Sequence, residues 1–427
     1  MSGIKVVEFG NAIFAPLCAS LLAIYGADVI KIEPPEGDMA RLSAGRGDSI
    51  LFLNRNQGKK SIAVDLRNPE GKEIILKLIR EADIMVHNHR PQAIKKKGLD
   101  YESVAKINPR IIYAALSSYG DSGPFANLPG ADPWTQAFTG MVASQGNPQD
   151  PPYLVGHPVC DNTGATLGAY GIMMALFMRE RTGKGQEVST SLVNAGIYLQ
   201  QDAIAHYLIE GLNLTKGGRG HYRGLFPYGA YPAKDGDVVT FFGQDNDEWK
   251  VVCEIIGLDE TLVDDPRYDT ISKRQKARTE LYPILDAAFR QKTRAEWQEA
   301  FRERHLRCDP CLDYAELVAH PQFQACDLLT EVEHPRDGKL TMVGSPVKLS
   351  SKEETDTRVL PAPVLGQHTV EILQSLGYTM KQVNKLIDDG VVNPPAEGMM
   401  SPGGQRTDTA QYASVTRTYK HRRAKRQ

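Results

Sequence analysis

The sequence predicts an α/β protein in which a parallel sheet carries helices on its faces and a smaller α+β lobe follows. Three observations predict it. Over the first 120 residues, short apolar runs alternate with helical patterns of about 10–15 residues, the mark of parallel βαβ units. Between about 225 and 320 the pattern changes to a hairpin followed by helices. At 427 residues the chain exceeds what one minimal core needs, so two or more lobes are expected.

Residues 4–9 form the first strand, and residues 16–25, apolar on nearly every face, form a helix ended by Gly26. The second strand is DVIKI at 28–32, and the third covers 61–66. Asn68 then caps a helix that runs to about Ala82, with Pro69 at its first position. Residues 83–86 and 110–116 complete the strands visible in this half. A glycine-rich basic run, KGGRGHYR at 216–223, fits a linker or a phosphate-facing loop and falls within a linker drawn over 201–224. A hairpin over 228–242 turns at Lys234-Asp235-Gly236. Helical patterns at 247–257, 278–290 and 294–305 complete a small domain at 225–320. A strand at 340–349 and helices at 366–376 and 379–389 lie in a return segment, 321–395.

Composition narrows the function classes. Hydrophobic content of 41% and charged content of 24% are ordinary for a globular protein. No apolar run reaches the ~20 residues that cross a bilayer, and MSGIKVVEFG lacks a signal-peptide pattern. A cytoplasmic protein without a membrane partner is expected. From 398 to 427 the chain holds seven Lys/Arg and one acid, so 396–427 reads as a solvated, disordered basic tail and no nucleic acid is expected. Six scattered cysteines suggest no disulfide framework. Cys308-Asp309-Pro310-Cys311 lacks the context of a redox pair or a zinc site and reads as a loop, so no metal is expected. The first strand is followed by GNAIFAPLC rather than G-x-G-x-x-G, which removes a dinucleotide fingerprint.

The chemistry centres on GHPVCDNTGATLGAYGIMMALFMRERTGKGQEV, residues 156–188. This helix is entered through Asp161, read as its N-cap, and its first turns are rich in Gly and Ala. Two readings stand: a carboxylate nucleophile exposed to a bulky substrate, or an ordinary Asp cap on a helix packed through glycines.

With those flanks the chain resembles the class III coenzyme A transferases, the family of formyl-CoA and carnitine CoA-transferases. The resemblance rests on blocks in order: GADVIKIEPPEGDMAR (26–41), NRNQGKKSIAVDLRNPEGK (54–72), ADIMVHNHRP (82–91), NPRIIYAALSSYGDSGP (108–124), ADPWTQAFTG (131–140), the Asp161 helix, HPQFQA (320–325) and LGQHTVEIL (365–373). It implies a Rossmann-like large domain from residues 1–200 completed by the return segment, and an interlocked homodimer. It implies that Asp161 is the catalytic nucleophile, passing through a mixed anhydride and an aspartyl-CoA thioester. Coenzyme A enters as a thioester substrate exchanged between carboxylic acids, with no tightly bound cofactor. It places CoA contacts at Val64, Asp65, Leu66, Arg67, Asn88, His89, Arg90 and Lys96.

Three departures separate the chain from formyl-CoA transferases. Ile13 stands where they place a glutamine, Pro129 where they carry a basic residue, and Phe241-Phe242-Gly243-Gln244 roughly where they have a glycine lid. The related α-methylacyl-CoA racemases use a His and an Asp base. Here Gly130-Ala131-Asp132 replaces the histidine with alanine, and His157 reads as a structural histidine ahead of the helix, with substitution for the missing base as its alternative. An inactive CoA-binding paralogue is the other alternative.

Overall fold

In the computed structural model, which describes residues 1–42, 48–219, 221, 226–240, 245–350 and 359–394, six strands form one parallel sheet. They are β1 (Lys5–Phe9), β2 (Asp28–Glu33), β3 (Lys60–Ala63), β4 (Ile84–His87), β5 (Ile112–Ser117) and β6 (Gln186–Ser191), in the order β3-β2-β1-β4-β5-β6. β1 pairs with β2 on one side and β4 on the other, so the strand order reverses at β1 and opens a crevice past its carboxyl end. β6 escapes the sequence reading because QEVSTS is largely polar and its side chains are mostly half-buried or exposed.

Eight helices precede or connect these strands: α1 (Phe14–Ile24), α2 (Ile50–Arg55), α3 (Pro69–Glu81), α4 (Pro91–Lys96), α5 (Tyr101–Ile107), α6 (Asp132–Phe138), α7 (Met141–Ser144) and α8 (Val159–Thr182). Asn68 caps α3 as the sequence suggests, its side chain accepting from the Glu70 N–H. The core beside α3 joins Ile62, Ile75, Ile79 and Met85 to Ile372, Leu373, Val383 and Leu386 of helices Thr369–Ser375 and Met380–Asp388. The chain after those helices extends the sheet past β3. The Asp65 N–H donates to Val391 O at 2.9 Å, and the Asn393 N–H donates to Ala63 O at 3.1 Å.

The chain divides into two units, Met1–Thr135, Pro158–Ala195 and Leu328–Gln427 in the first and Gln136–His157 and Gly196–Asp327 in the second. The second unit holds an antiparallel sheet of β7 (Gly229–Ala233), β8 (Gly236–Thr240) and β9 (Cys308–Pro310). Trp249, Phe289, Trp297 and Phe301 fill its core. Two local expectations change here. Cys308–Pro310 is a strand rather than a loop, and burial pushes the Cys308 thiol up to about 12. The segment from 201 carries a helix, Gln201–Glu210, stopped by Gly211 at φ 72°. In the first unit, β10 (Leu329–His334) pairs with β11 (Gly338–Val343), and only the second of these is legible as a strand from sequence.

Close packing accounts for the small residues of α8. A Cβ at Gly164 would lie 2.7 Å from Phe14 Cε2, one at Gly168 2.9 Å from Leu116 Cδ2, and one at Gly171 2.7 Å from Val188 Cγ1. The glycines therefore let α8 press onto α1, β5 and β6. Gly164→Val is expected to lower stability by about 1–3 kcal/mol through overpacking. Gly156→Ala, at a position where a Cβ meets nothing within 4 Å, should change it by less than about 0.5 kcal/mol. Denaturant unfolding of the two variants checks the contrast.

Candidate active site

Beneath the carboxyl end of β1 lie four charged side chains, Glu8, Lys31, Lys59 and Asp38, all of them buried. Lys31 Nζ reaches Glu8 Oε1 at 2.9 Å and Asp38 Oδ2 at 2.8 Å, and Lys59 Nζ reaches Glu8 Oε2 at 2.8 Å. Burial works against the charge on Lys31, but Glu8 and Asp38 outweigh it and hold its pKa above the usual lysine value. Lys59 moves the other way, down to about 8, through burial that the shared Glu8 only partly offsets, with Lys31 repelling it. Lys59 also donates to the carbonyls of Pro16 and Arg55.

This cluster shapes the loop that follows β1. Lys31 donates to Gly10 O, and Asp38 Oδ1 accepts the amide of Ala12 at 3.0 Å. Ala12 sits at φ 63°, a strained choice for a residue with a Cβ, and the buried acceptor holds it there. Gly10 has no substitute, since a Cβ would come within 2.6 Å of Ala15 Cβ. Across the crevice, Asn88 and Asn11 bond reciprocally. Asn88 Oδ1 accepts from Asn11 N at 3.0 Å, and Asn88 Nδ2 donates to Asn11 O at 2.8 Å. The loop then enters α1 at Phe14, whose ring abuts Gly164 of α8.

Asp161 is the third residue of α8, not its cap. Pro158 occupies the cap position and makes no side-chain cap bond. The Asp161 N–H donates instead to Asp132 Oδ2 at 2.9 Å, so an acid from α6 serves as the acceptor for this helix end. Asp161 is 8% exposed and its pKa is raised to about 7, first by burial and then by the neighbouring charge of Asp132. Arg55, at the end of α2, pulls it back down. A carboxyl group poised near neutrality is one that chemistry can draw on.

The CoA candidates divide into two groups. Val64 is buried and Leu66 half-buried, while Arg67 Nε and Nη2 already reach Asp65 Oδ1 and Oδ2 at 2.8 and 2.9 Å. These four residues stand at the end of β3. The second group stands at the end of β4. His89 packs its ring 4.3 Å from that of Phe9, and Arg90 Nη1 donates to Asn127 O at 3.0 Å. Burial and then the charge of Lys97 push the His89 pKa down to about 4. Lys96 is exposed; its neighbour Lys97 is the lysine that leans over Phe9, with Nζ 5.7 Å from the ring centre. Asn88, through Asn11, belongs to the loop between β1 and α1.

Asp132, Arg55, Asn11 and Lys97 are the residues that the sequence did not single out for roles here. Each lies inside or beside a block it did single out. The residues expected near a lid, 241–244, and the basic tail, 396–427, lie outside the described residues. Among the described residues, no helix is long and apolar enough to cross a membrane, and no three His, Cys, Asp or Glu side chains gather as a metal-ligand set.

A family model described as CoA-transferase family III matches residues 1–369. The chain belongs to CoA-transferase family III. The transferase is 33% identical over 399 residues to succinyl-CoA:glutarate CoA-transferase of Mus musculus, covering 92% of this chain and 90% of the relative. It is 31% identical over 421 residues to formyl-CoA:oxalate CoA-transferase of Rhodopseudomonas palustris, covering 92% and 98%. A solved CAIB/BAIF family protein from Brucella suis superposes with a TM-score of 0.76 at 29% identity, over 88% of this chain and 98% of that one.

Two measurements test the electrostatics of this transferase. Lys31→Met leaves Glu8 and Asp38 without their shared cation and should cost about 3–5 kcal/mol in denaturant unfolding. Carboxyl carbon NMR should place the Asp161 midpoint near 7. Asp132→Asn should lower that midpoint by removing a like charge, and Arg55→Gln should raise it.

Proposed function

We propose that this CoA-transferase moves coenzyme A from an acyl-CoA to a free carboxylic acid with Asp161 as the nucleophile. The observation that carries the reading is a buried carboxyl group with a pKa of about 7, at the start of the helix in the position where the family resemblance puts the nucleophile. Its ionised form attacks the thioester carbonyl, and the C–S bond breaks to give a mixed anhydride and CoA thiolate. The thiolate then attacks the Asp161 carbonyl and releases the donor acid, leaving an aspartyl-CoA thioester. The acceptor carboxylate attacks that carbonyl, forming a second anhydride and freeing the thiolate again. Attack by the thiolate on the acceptor's carbonyl yields the new acyl-CoA and restores Asp161. No ATP is needed, because each covalent intermediate is itself a high-energy acyl compound. Burial of Asp161 favours the scheme by limiting hydrolysis of the anhydride.

Coenzyme A is read as lying along the carboxyl edge of the sheet, past Val64–Arg67 and Asn88–Arg90, with Lys96 and Lys97 beside its phosphates. The racemase alternative gains no support here, since the ring of His157 is engaged by the Tyr314 hydroxyl at 3.1 Å. The acids carried in the relatives' names, succinate, glutarate, formate and oxalate, open the list of donors and acceptors to try. We read the assembly as a homodimer. On α8, Tyr170, Met173, Met174, Phe177 and Met178 are all exposed at helical spacing, a stripe wide enough to need covering. In the second unit, Tyr207, Leu208 and Ile209 are exposed as well.

Incubation with a panel of acyl-CoAs and trapping with hydroxylamine should label the peptide containing Asp161, and Asp161→Ala should abolish both labelling and exchange. A fully active Asp161→Ala variant would sink the reading. The labelling rate should rise as pH rises through about 7, because only the deprotonated carboxyl attacks. Phe177→Lys, measured by light scattering, should weaken the dimer.

A further inference from the structure

We infer that Arg55 binds the carboxylate of the acid that leaves and of the acid that enters, and so holds the acceptor against the Asp161 carbonyl. The inference rests on the reading of Asp161 as nucleophile and names the group that handles the second substrate. Arg55 closes α2, and its carbonyl is tied to the buried Lys59 ammonium at 3.0 Å, so the stem of the side chain starts from a fixed point. Its guanidinium is half-buried and its Nε is sealed from solvent without a hydrogen-bond partner. Among the described residues, no acid forms an ion pair with it and no oxygen accepts from it. The charge that it feels is that of Asp161, which lies beyond ion-pair distance. A guanidinium left in this state offers a planar fork that fits a carboxylate.

The reaction gives that fork its occasion. While Asp161 is ionised, it partly answers the charge of Arg55 across the gap. Once Asp161 is acylated or thioesterified it is neutral, and Arg55 has lost its counter-charge at the moment an acid anion must arrive. The acceptor carboxylate restores neutrality by seating one oxygen on the guanidinium while the other attacks the thioester carbonyl. The C–O bond forms, the C–S bond breaks, and the electron pair leaves with the CoA thiolate. The same fork receives the donor acid when the thiolate displaces it from the first anhydride. An acyl-CoA carries no free carboxylate at its reacting carbon, so donor binding owes this contact nothing.

Arg55→Gln and Arg55→Lys test it on the pH plateau of each protein's own labelling profile, where Asp161 is ionised with or without the arginine. The donor half-reaction is read by hydroxylamine trapping, and the acceptor by steady-state KM with the acid that exchanges fastest in the panel. Arg55→Gln should still form the adduct, which also reports that it folds, while its acceptor KM rises roughly ten- to a hundred-fold. The KM of the acyl-CoA should stay within a few-fold. Arg55→Lys, which keeps the charge but not the fork, should fall between. An unchanged acceptor KM in Arg55→Gln overturns the inference alone. An adduct lost in Arg55→Gln but present in the wild type also overturns it, because the arginine would then serve the nucleophile. No adduct even in the wild type removes the Asp161 reading, and this inference with it.

Discussion

Four charges grouped under the end of β1 bear most directly on the rest of the candidate site. Glu8 and Asp38 bring two negative charges and Lys31 and Lys59 two positive ones, so the cluster is neutral while each member is costly to bury by itself. Its hydrogen bonds end on backbone at Gly10, Ala12, Pro16 and Arg55. Those four points fix the loop after β1, the first turn of α1 and the end of α2. The cluster thus converts a burial problem into the positioning of three separate segments around one crevice. An apolar replacement of similar volume would fill the space but leave those backbone groups without partners.

Helix α8 illustrates how one element divides its faces. Its glycines are spent on contact with Phe14, Leu116 and Val188, which brings the helix start close to the loop that the charges hold. Its outer face is apolar and exposed. Between these two faces, at the first turn, Asp161 meets burial and the carboxylate of Asp132 on one hand and the more distant Arg55 on the other. The balance of those three influences sets a carboxyl group near neutrality, where neither protonation state dominates.

Much of the first unit was legible because its signals are local. The apolar runs of β1 to β5 and the Asn68-Pro69 start of α3 need only neighbours in sequence to be read. β6 and β10 were not legible, because QEVSTS and LTEVEH carry polar side chains and owe their strand state to the partner beside them. The importance of Asp161 was visible through its flanks, yet its place in the helix was not. Pro158, rather than the acid, takes the cap, and the acid's own amide finds Asp132 from another helix. Arg55 and Asp132 reach Asp161 only through the fold, and no periodicity or spacing marks such a meeting.

The path of the chain has a consequence for its synthesis. All six strands of the parallel sheet have been made once residue 191 is in place, but the helices that cover Ile62 and Ile75 begin only at Thr369. At typical translation rates of about 5–20 residues per second, that apolar surface waits on the order of ten to forty seconds for its cover. Throughout that interval the nascent sheet is a target for chaperones and for premature self-association. A truncated product ending before residue 369 would keep that liability permanently.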